Sequence, residues 1–363
     1  MHAPPCLSIA IAGAGLVGRL LAWRLSLAGH RVTLCERDSF ARSTSAAHTA
    51  AAMISPLSEV VVSERKIYDM GMASLKLWPQ WLEALNLLQQ PPVVYAAQGS
   101  ILVAHPQDAS ELLQFYQDLS AQLGTDNTAR WLDRREIAQL EPDLSAQFTQ
   151  GLYLPDEGHL DNRQLLTNLL AAAQKLGARC LEQAAIEFQP KPYCSKLDLS
   201  KFDWLVDCRG FGAKPSQENL RGVRGEVLWV ETSEVRLNRP IRLMHPRYKL
   251  YIVPKPQHRF IIGATEIESE DRSPMSLRSM LELGSALYTL NPAFAEARIL
   301  ELDANLRPAF WDNLPQIDAT INSRGQGILS INGLYRHGFL LAPCMIEEAL
   351  THFTSCPTPD DNN

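Results

Sequence analysis

The segment that most restricts the fold is SIAIAGAGLVGRLLAWRLSLAGHRVTLCERD, Ser8 to Asp38. Ser8 to Ala12 is a short Ile-rich apolar run, the pattern of a buried parallel strand, and Gly13, Gly15 and Gly18 follow it in G-x-G-x-x-G order. Each glycine has its own task in such a turn. Gly13 permits the tight bend, Gly15 lets backbone N–H groups approach a pyrophosphate, and Gly18 lets the next helix pack close to the strand. That helix is predicted over Leu16 to Ala28, with its free N–H groups and dipole facing the anion. Gly29-His30 ends it, Arg31 to Cys35 forms a second strand, and Glu36 closes that strand where an acid can bond both ribose hydroxyls. Strand, glycines, helix, strand and acid in one unit predict a dinucleotide site, which a glycine motif alone would not.

Composition narrows the partners. The 363 residues, 46% hydrophobic and 20% charged, suit a globular protein of two or three domains' length with a large core. A net charge of −6 without any Lys/Arg block argues against nucleic acid or an anionic membrane as partner. No apolar run is long enough for a membrane span, and the short, proline-containing start is unlike a signal peptide. Cys6, Cys35, Cys180, Cys194, Cys208, Cys344 and Cys356 are scattered without C-x-x-C spacing, so they are expected to be reduced and structural in a cytoplasmic protein. Asp156, Glu157, His159 and Asp161 lack a second ligand group; they are expected to form a turn and a helix cap, and no metal is expected.

Further along, three- and four-residue apolar spacing predicts helices over Glu64–Leu88 and Ala109–Gln122, and Val93–His105 reads as a pair of strands around Gln98-Gly99. Gly151–Ala178 reads as strand, turn and helix, capped by Asp161 or Asn162, and Phe202–Lys214 as a buried strand entering a glycine turn at Gly210. Alternation over Glu226–Glu231, Lys249–Val253 and Phe260–Thr265 predicts an antiparallel sheet. The predicted class is α/β: a Rossmann-like nucleotide domain (1–90, 151–220 and 325–355) interleaved with an α+β substrate domain on a mainly antiparallel sheet (91–150 and 221–324). A tail, 356–363, follows.

Three features select FAD over a nicotinamide. The chain leaves the nucleotide unit at about Ser39 and returns only near Gly151, whereas a nicotinamide enzyme usually completes its doubly wound sheet directly. RSTSAAHTAAAM, Arg42 to Met53, is nearly all small residues, which lets backbone approach a flat ring. Arg336-His337-Gly338-Phe339-Leu340 precedes a helix predicted from about Cys344, whose N-terminus would stabilise negative charge on a reduced flavin.

In order and spacing, GAGLVG, STSAAHTAAAMISPLSE, DEGHLD, VRGEV, YIVPK, IIGAT, LRPAFWDNLPQI and YRHGFLLAP resemble the glycine oxidase branch of the D-amino-acid-oxidase-like flavoproteins over roughly residues 8 to 350. The resemblance implies non-covalent FAD and oxidation of an amine or amino acid, with hydride passing from the substrate Cα to flavin N5 and oxygen or another acceptor receiving the electrons. It implies FAD contacts at Leu16, Val17, Glu36, Arg37, Ser43, Thr44, Ala51, Ala52, Met53, Ile186, Leu334, Tyr335, Arg336, His337, Gly338, Phe339 and Leu340, beside the motif glycines. It assigns the substrate carboxylate to Arg307 and Arg336, with Tyr251 nearby. The chain departs from the family pattern at Ala52, where glycine is usual, at His337, where asparagine is common, and at Glu266, where the residue is usually apolar. If Glu266 faces the pocket and pairs with an arginine, it disfavours simple amino acids such as glycine. His48 lies in the loop where some amine dehydrogenases of the wider superfamily attach flavin to histidine, but its spacing does not match theirs, so covalent attachment is not expected. The competing readings are a flavoprotein that modifies an amine on tRNA or protein, and a flavin-binding redox or assembly partner without a small substrate.

Overall fold

Ser8–Ala12 lies between Arg31–Cys35 and Trp204–Asp207 and runs parallel to both. The computed structural model describes residues 6–354 apart from 145, 247, 248 and 324, so the expected tail and Cys356 lie outside the described residues. The sheet built on this centre has six strands in the order Gln316–Ile321, Gly327–Asn332, Trp204–Asp207, Ser8–Ala12, Arg31–Cys35 and Arg179–Leu181, with only the first antiparallel. Ile9 and Ile11 pack beneath a helical layer formed by Leu16–Leu27, Arg65–Leu88, Asn162–Lys175 and Gly338–Leu350. Ala10 and Ala12 face Ile186 and Leu199 on the other side. Burial on both faces is why the strand reads as a continuous apolar run.

The second sheet has eight strands in the order Arg298–Ala309, Arg221–Glu231, Arg259–Gly263, Lys249–Lys255, Ile241–Met244, Ser100–Ala104, Gln150–Leu154 and Arg130–Asp133. Its pairings are antiparallel except that of Ile241–Met244 with Ser100–Ala104. One face carries the helix Leu277–Leu290 on a core of Leu228, Ile252 and Ile262. The other carries Val227, Tyr251 and Val253, which pack with Ala51 and Met53 of the small-residue loop. Met53–Ile54, Gly158–Leu160 and Tyr95–Ala96 form a third, three-stranded sheet between the two larger ones. Trp78 Nε1 donates to Phe339 O (2.9 Å), tying the long helix to the start of the last one.

Several expectations shift. The two strands predicted in Val93–His105 exist but do not pair: Tyr95–Ala96 joins Gly158–Leu160, whereas Ser100–Ala104 enters the eight-stranded sheet. The last helix begins at Gly338 and carries Pro343 inside, six residues earlier than the expected start near Cys344. Pro343 is the sixth residue of this helix, so it offers no N–H to the Phe339 carbonyl; that carbonyl accepts from Trp78 Nε1 instead, and the helix continues. Sheet membership also moves two domain limits, since Gln150–Leu154 belongs to the large sheet and Gln316–Ile321 to the parallel one.

Candidate active site

The glycine turn is shaped by close approach. Gly13 has φ +94°, and a Cβ on Gly18 would lie 1.9 Å from the Gly13 carbonyl oxygen. The helix Leu16–Leu27 starts at Gly15 with no side-chain cap, leaving its first N–H groups for an anion. Glu36 is oriented by the Ala14 N–H (2.8 Å to Oε2) and the Asp38 N–H (3.2 Å to Oε1), with lone pairs left over for hydroxyl donors.

One cavity runs from this turn to the face of the large sheet. Gly13, Gly15, Leu16, Val17, Glu36, Arg37, Thr44, Ala51, Ala52, Met53, Ile186, Gly210 and the whole run from Leu334 to Leu340 line it. Tyr251, Glu266 and Arg307 line its far end. Two expected contacts do not: Gly18 is taken up in packing against the strand, and Ser43 turns its hydroxyl to Ser45 (2.9 Å). His48 does not line the cavity either, and its carbonyl accepts from Asn162 Nδ2 (2.7 Å). Ala52 has φ +54°, the left-handed backbone that explains why glycine is usual there. The helix Gly338–Leu350 has no side-chain cap, and Gly338 to Leu340 of its first turn face the cavity. The cradle around Gly13, the acid at Glu36, the small wall and two uncapped helix starts fit an FAD laid along the cavity.

The far end is built from charged side chains. Arg336 donates from Nε to Glu59 Oε2 (2.9 Å) and from Nη1 to Glu266 Oε2 (3.0 Å), while the Tyr335 hydroxyl donates to Glu266 Oε1 (2.7 Å). His337 Nε2 lies 2.9 Å from the same Glu59 oxygen. Burial raises the Glu59 carboxyl, but the Arg336 charge and the His337 hydrogen bond outweigh it and hold Glu59 well below the usual carboxylate range. At Glu266, too, burial is opposed by the Tyr335 hydrogen bond and by Arg336, with a net lowering. Arg307 lies over Gly225, where a Cβ would come within 2.4 Å of it, and donates from Nη1 and Nη2 to Thr265 O (3.1 Å each). The Tyr251 ring covers Gly263 in the same way.

Sheet register aligns these groups. Arg242, Tyr251, Gly263, Val227 and Asp303 stand directly opposite one another across five strands, so they share a face, and Arg307 lies four residues from Asp303 on that face. Arg242 and Glu59 line the cavity and were not singled out from the sequence. The signal was present: a lone arginine in the otherwise apolar Ile241–Met244 strand needs either solvent or an anion.

Of the acidic cluster, Asp156 lies in the expected turn and Asp161 is the expected cap, whereas His159 belongs to the strand Gly158–Leu160 and Glu157 is buried just before it. Asp161 accepts from the N–H groups of Arg163 and Gln164 (3.1 and 3.0 Å) as helix cap, and Asp156 accepts from Thr128 Oγ1 (2.6 Å). Glu157 is buried and accepts from Ser58 N (2.8 Å) and Ser100 Oγ (2.5 Å). Among the described residues no metal-holding group occurs, the cysteines are free, and no helix is long and apolar enough to cross a membrane.

Residues 8–349 match the family model described as DAO, FAD dependent oxidoreductase. A protein of Rhizobium etli named for the thiamine biosynthesis oxidoreductase ThiO is 40% identical over 94% of both chains. The glycine oxidase of Geobacillus kaustophilus is 26% identical over 92% of this chain and 89% of its own. A solved glycine oxidase from Bacillus cereus superposes with a TM-score of 0.81 at 22% identity, covering 98% of this chain and 99% of the other, which shows a shared fold. The family model spans nearly the whole chain, and with it the cavity, so this protein belongs to the DAO family of FAD-dependent oxidoreductases and is an enzyme that acts on amino acids or amines.

Proposed function

We propose that the enzyme oxidises a small α-amino acid of the glycine type to its imine, which water then converts to an oxo acid and ammonia. The observation that carries this reading is the single cavity joining the Glu36 turn to Tyr251 and Arg307, since it brings a small carboxylate-bearing amine up to a flavin. FAD supplies the hydride acceptor; the chain's own residues bind, orient and exclude water. Arg307 and the Tyr251 hydroxyl face the substrate carboxylate. The tight bonds of Arg336 to Glu59 and Glu266 fix the field beside them. The expected role of Arg336 as direct carboxylate anchor changes accordingly, because two carboxylates already occupy its Nε and Nη1.

A second cavity lined by Val62, Glu64, Arg278 and Glu282 shares Glu266, Tyr335 and Arg336 with the inner one, and we read it as the approach for substrate. Oxygen is the proposed acceptor. Free, buried Cys35, Cys194 and Cys208 support a cytoplasmic location. The test is anaerobic mixing of the yellow holoenzyme with a panel of amino acids and amines. Bleaching by glycine or sarcosine, and peroxide on readmission of air, are expected; bleaching by simple diamines alone would overturn the reading.

A further inference from the structure

Three arginines face the inner end of the cavity, and their donors are unequally engaged. Arg336 is shared by two carboxylates, so its surroundings carry net negative charge and repel a third. Arg307 spends two donors on the Thr265 carbonyl. Arg242 differs: it lines the cavity, its Nε is buried without a hydrogen-bond partner, its terminal Nη groups are not buried and make no hydrogen bond to the described residues, and among those residues no carboxylate forms an ion pair with it. The carboxylates that share its field are Glu59 and Glu157. Glu59 is already bound by Arg336 and His337. Glu157 is bound by Ser58 and Ser100, and burial raises its carboxyl against the opposing Arg242 charge.

A guanidinium in a cavity wall without any carboxylate partner favours an anion that enters and meets its accessible Nη groups. Arg242 stands directly opposite Tyr251, whose ring leans over Gly263 toward the strand beneath Arg307. Resting on the amino-acid reading above, we propose that Arg242, together with Tyr251, anchors the substrate carboxylate, and that Arg336 is a positioning residue that holds Glu59 and Glu266. The cavity is then polar along its length, with a surplus of positive charge at Arg242 and Arg307 and of negative charge around Arg336. A small amino acid enters with its carboxylate toward the first and its amine toward the second. The positive field that Glu266 removes at Arg336 is thus restored on the other side of the pocket, and a carboxylate substrate is compatible with Glu266.

The test uses the holoenzyme and glycolate, a carboxylate without an amine, titrated calorimetrically into wild type, Arg242→Met and Arg242→Lys. Loss of a charge-assisted contact predicts that Arg242→Met weakens glycolate and raises the KM for glycine by roughly 30-fold, with kcat within about three-fold. FAD content stays unchanged, activity on glycine ethyl ester is spared, and Arg242→Lys recovers part of the loss. Unchanged glycolate affinity in Arg242→Met overturns the proposal. So does an equal loss on glycine and its ester in both variants, which marks a structural role. If wild type binds glycolate through Arg242 but no amino acid bleaches the flavin, the anchor stands and the amino-acid reading falls.

Discussion

The two ends of the cavity are made from different materials. The nucleotide end uses main-chain N–H groups, glycines and one carboxylate, drawn mostly from a run of about thirty consecutive residues around Gly13 and Glu36. The substrate end uses long charged side chains, Glu59, Arg242, Glu266, Arg307 and Arg336, from elements far apart in the chain. A backbone site tolerates little change in shape, because a single Cβ obstructs it. A site of ion pairs is sensitive instead to the removal of one partner, which leaves the other buried with its charge.

The largest effect that separates the two is expected at Gly18. Gly18→Ala drives a methyl group into the Gly13 carbonyl, so FAD affinity should fall by roughly a hundred-fold or more, read by flavin retained through gel filtration. Retention of full flavin would mean that the turn adjusts and the shape argument fails.

At the other end, Arg336→Leu should keep much of its FAD but lose about 3 kcal/mol of stability in urea, because Glu59, only 15% exposed, loses its guanidinium partner. The sign of its pH dependence is fixed. Glu59 has a folded pKa held below its ordinary 4.5, so its contribution is complete above that value and is lost on acidification. Arg336→Leu should show a smaller loss on going from pH 5 to pH 3 than wild type does. A parallel acid profile would remove Glu59 from this account.

His159 sharpens the comparison from beneath the small-residue loop, where it pairs with Met53. Burial, with Lys255 nearby, pushes its pKa down to about 3 from an ordinary 6.5. Between those values the unfolded chain binds the extra proton and the folded one does not, so stability should fall as pH drops through this window. His159→Gln should flatten that part of the profile, as measured by melting temperature at several pH values.

The smallest effect is expected at Ala52. Its φ of +54° costs an L-residue about 1 kcal/mol, partly offset by the greater backbone entropy of glycine, so Ala52→Gly should be neutral or stabilising by less than about 1 kcal/mol. A clear destabilisation would show that the methyl group packs productively in the loop.

How much of this was legible in the sequence follows the same division. The turn at Gly13, Gly15 and Gly18, the acid at Glu36 and the capping Asp161 act within a few residues of where they stand, so spacing reveals them. Glu59 and Arg242 act across the fold. Glu59 sits in a five-residue helix where an acid reads as ordinary surface, and Arg242 matters only because strand register sets it opposite Tyr251. The resemblance reached Arg307, Arg336 and Tyr251 but not the competition for Arg336, which depends on where Glu59 and Glu266 meet. The Val93–His105 segment misleads for a related reason, since local alternation cannot tell which of two sheets receives each strand.

The parallel sheet pairs Ser8–Ala12 with Trp204–Asp207, and Trp204–Asp207 with Gly327–Asn332. During synthesis the first strand therefore waits for almost two hundred residues before gaining its inner neighbour, and the sheet receives Gly327–Asn332 only more than a hundred residues later. Contacts of such sequence separation form slowly and leave apolar strands open in the meantime. Flavin cannot template the early steps, because Leu334 to Leu340, which line its cavity, follow the first strand by about three hundred residues. FAD would thus be felt less in how the sheet assembles than in how long the assembled fold lasts.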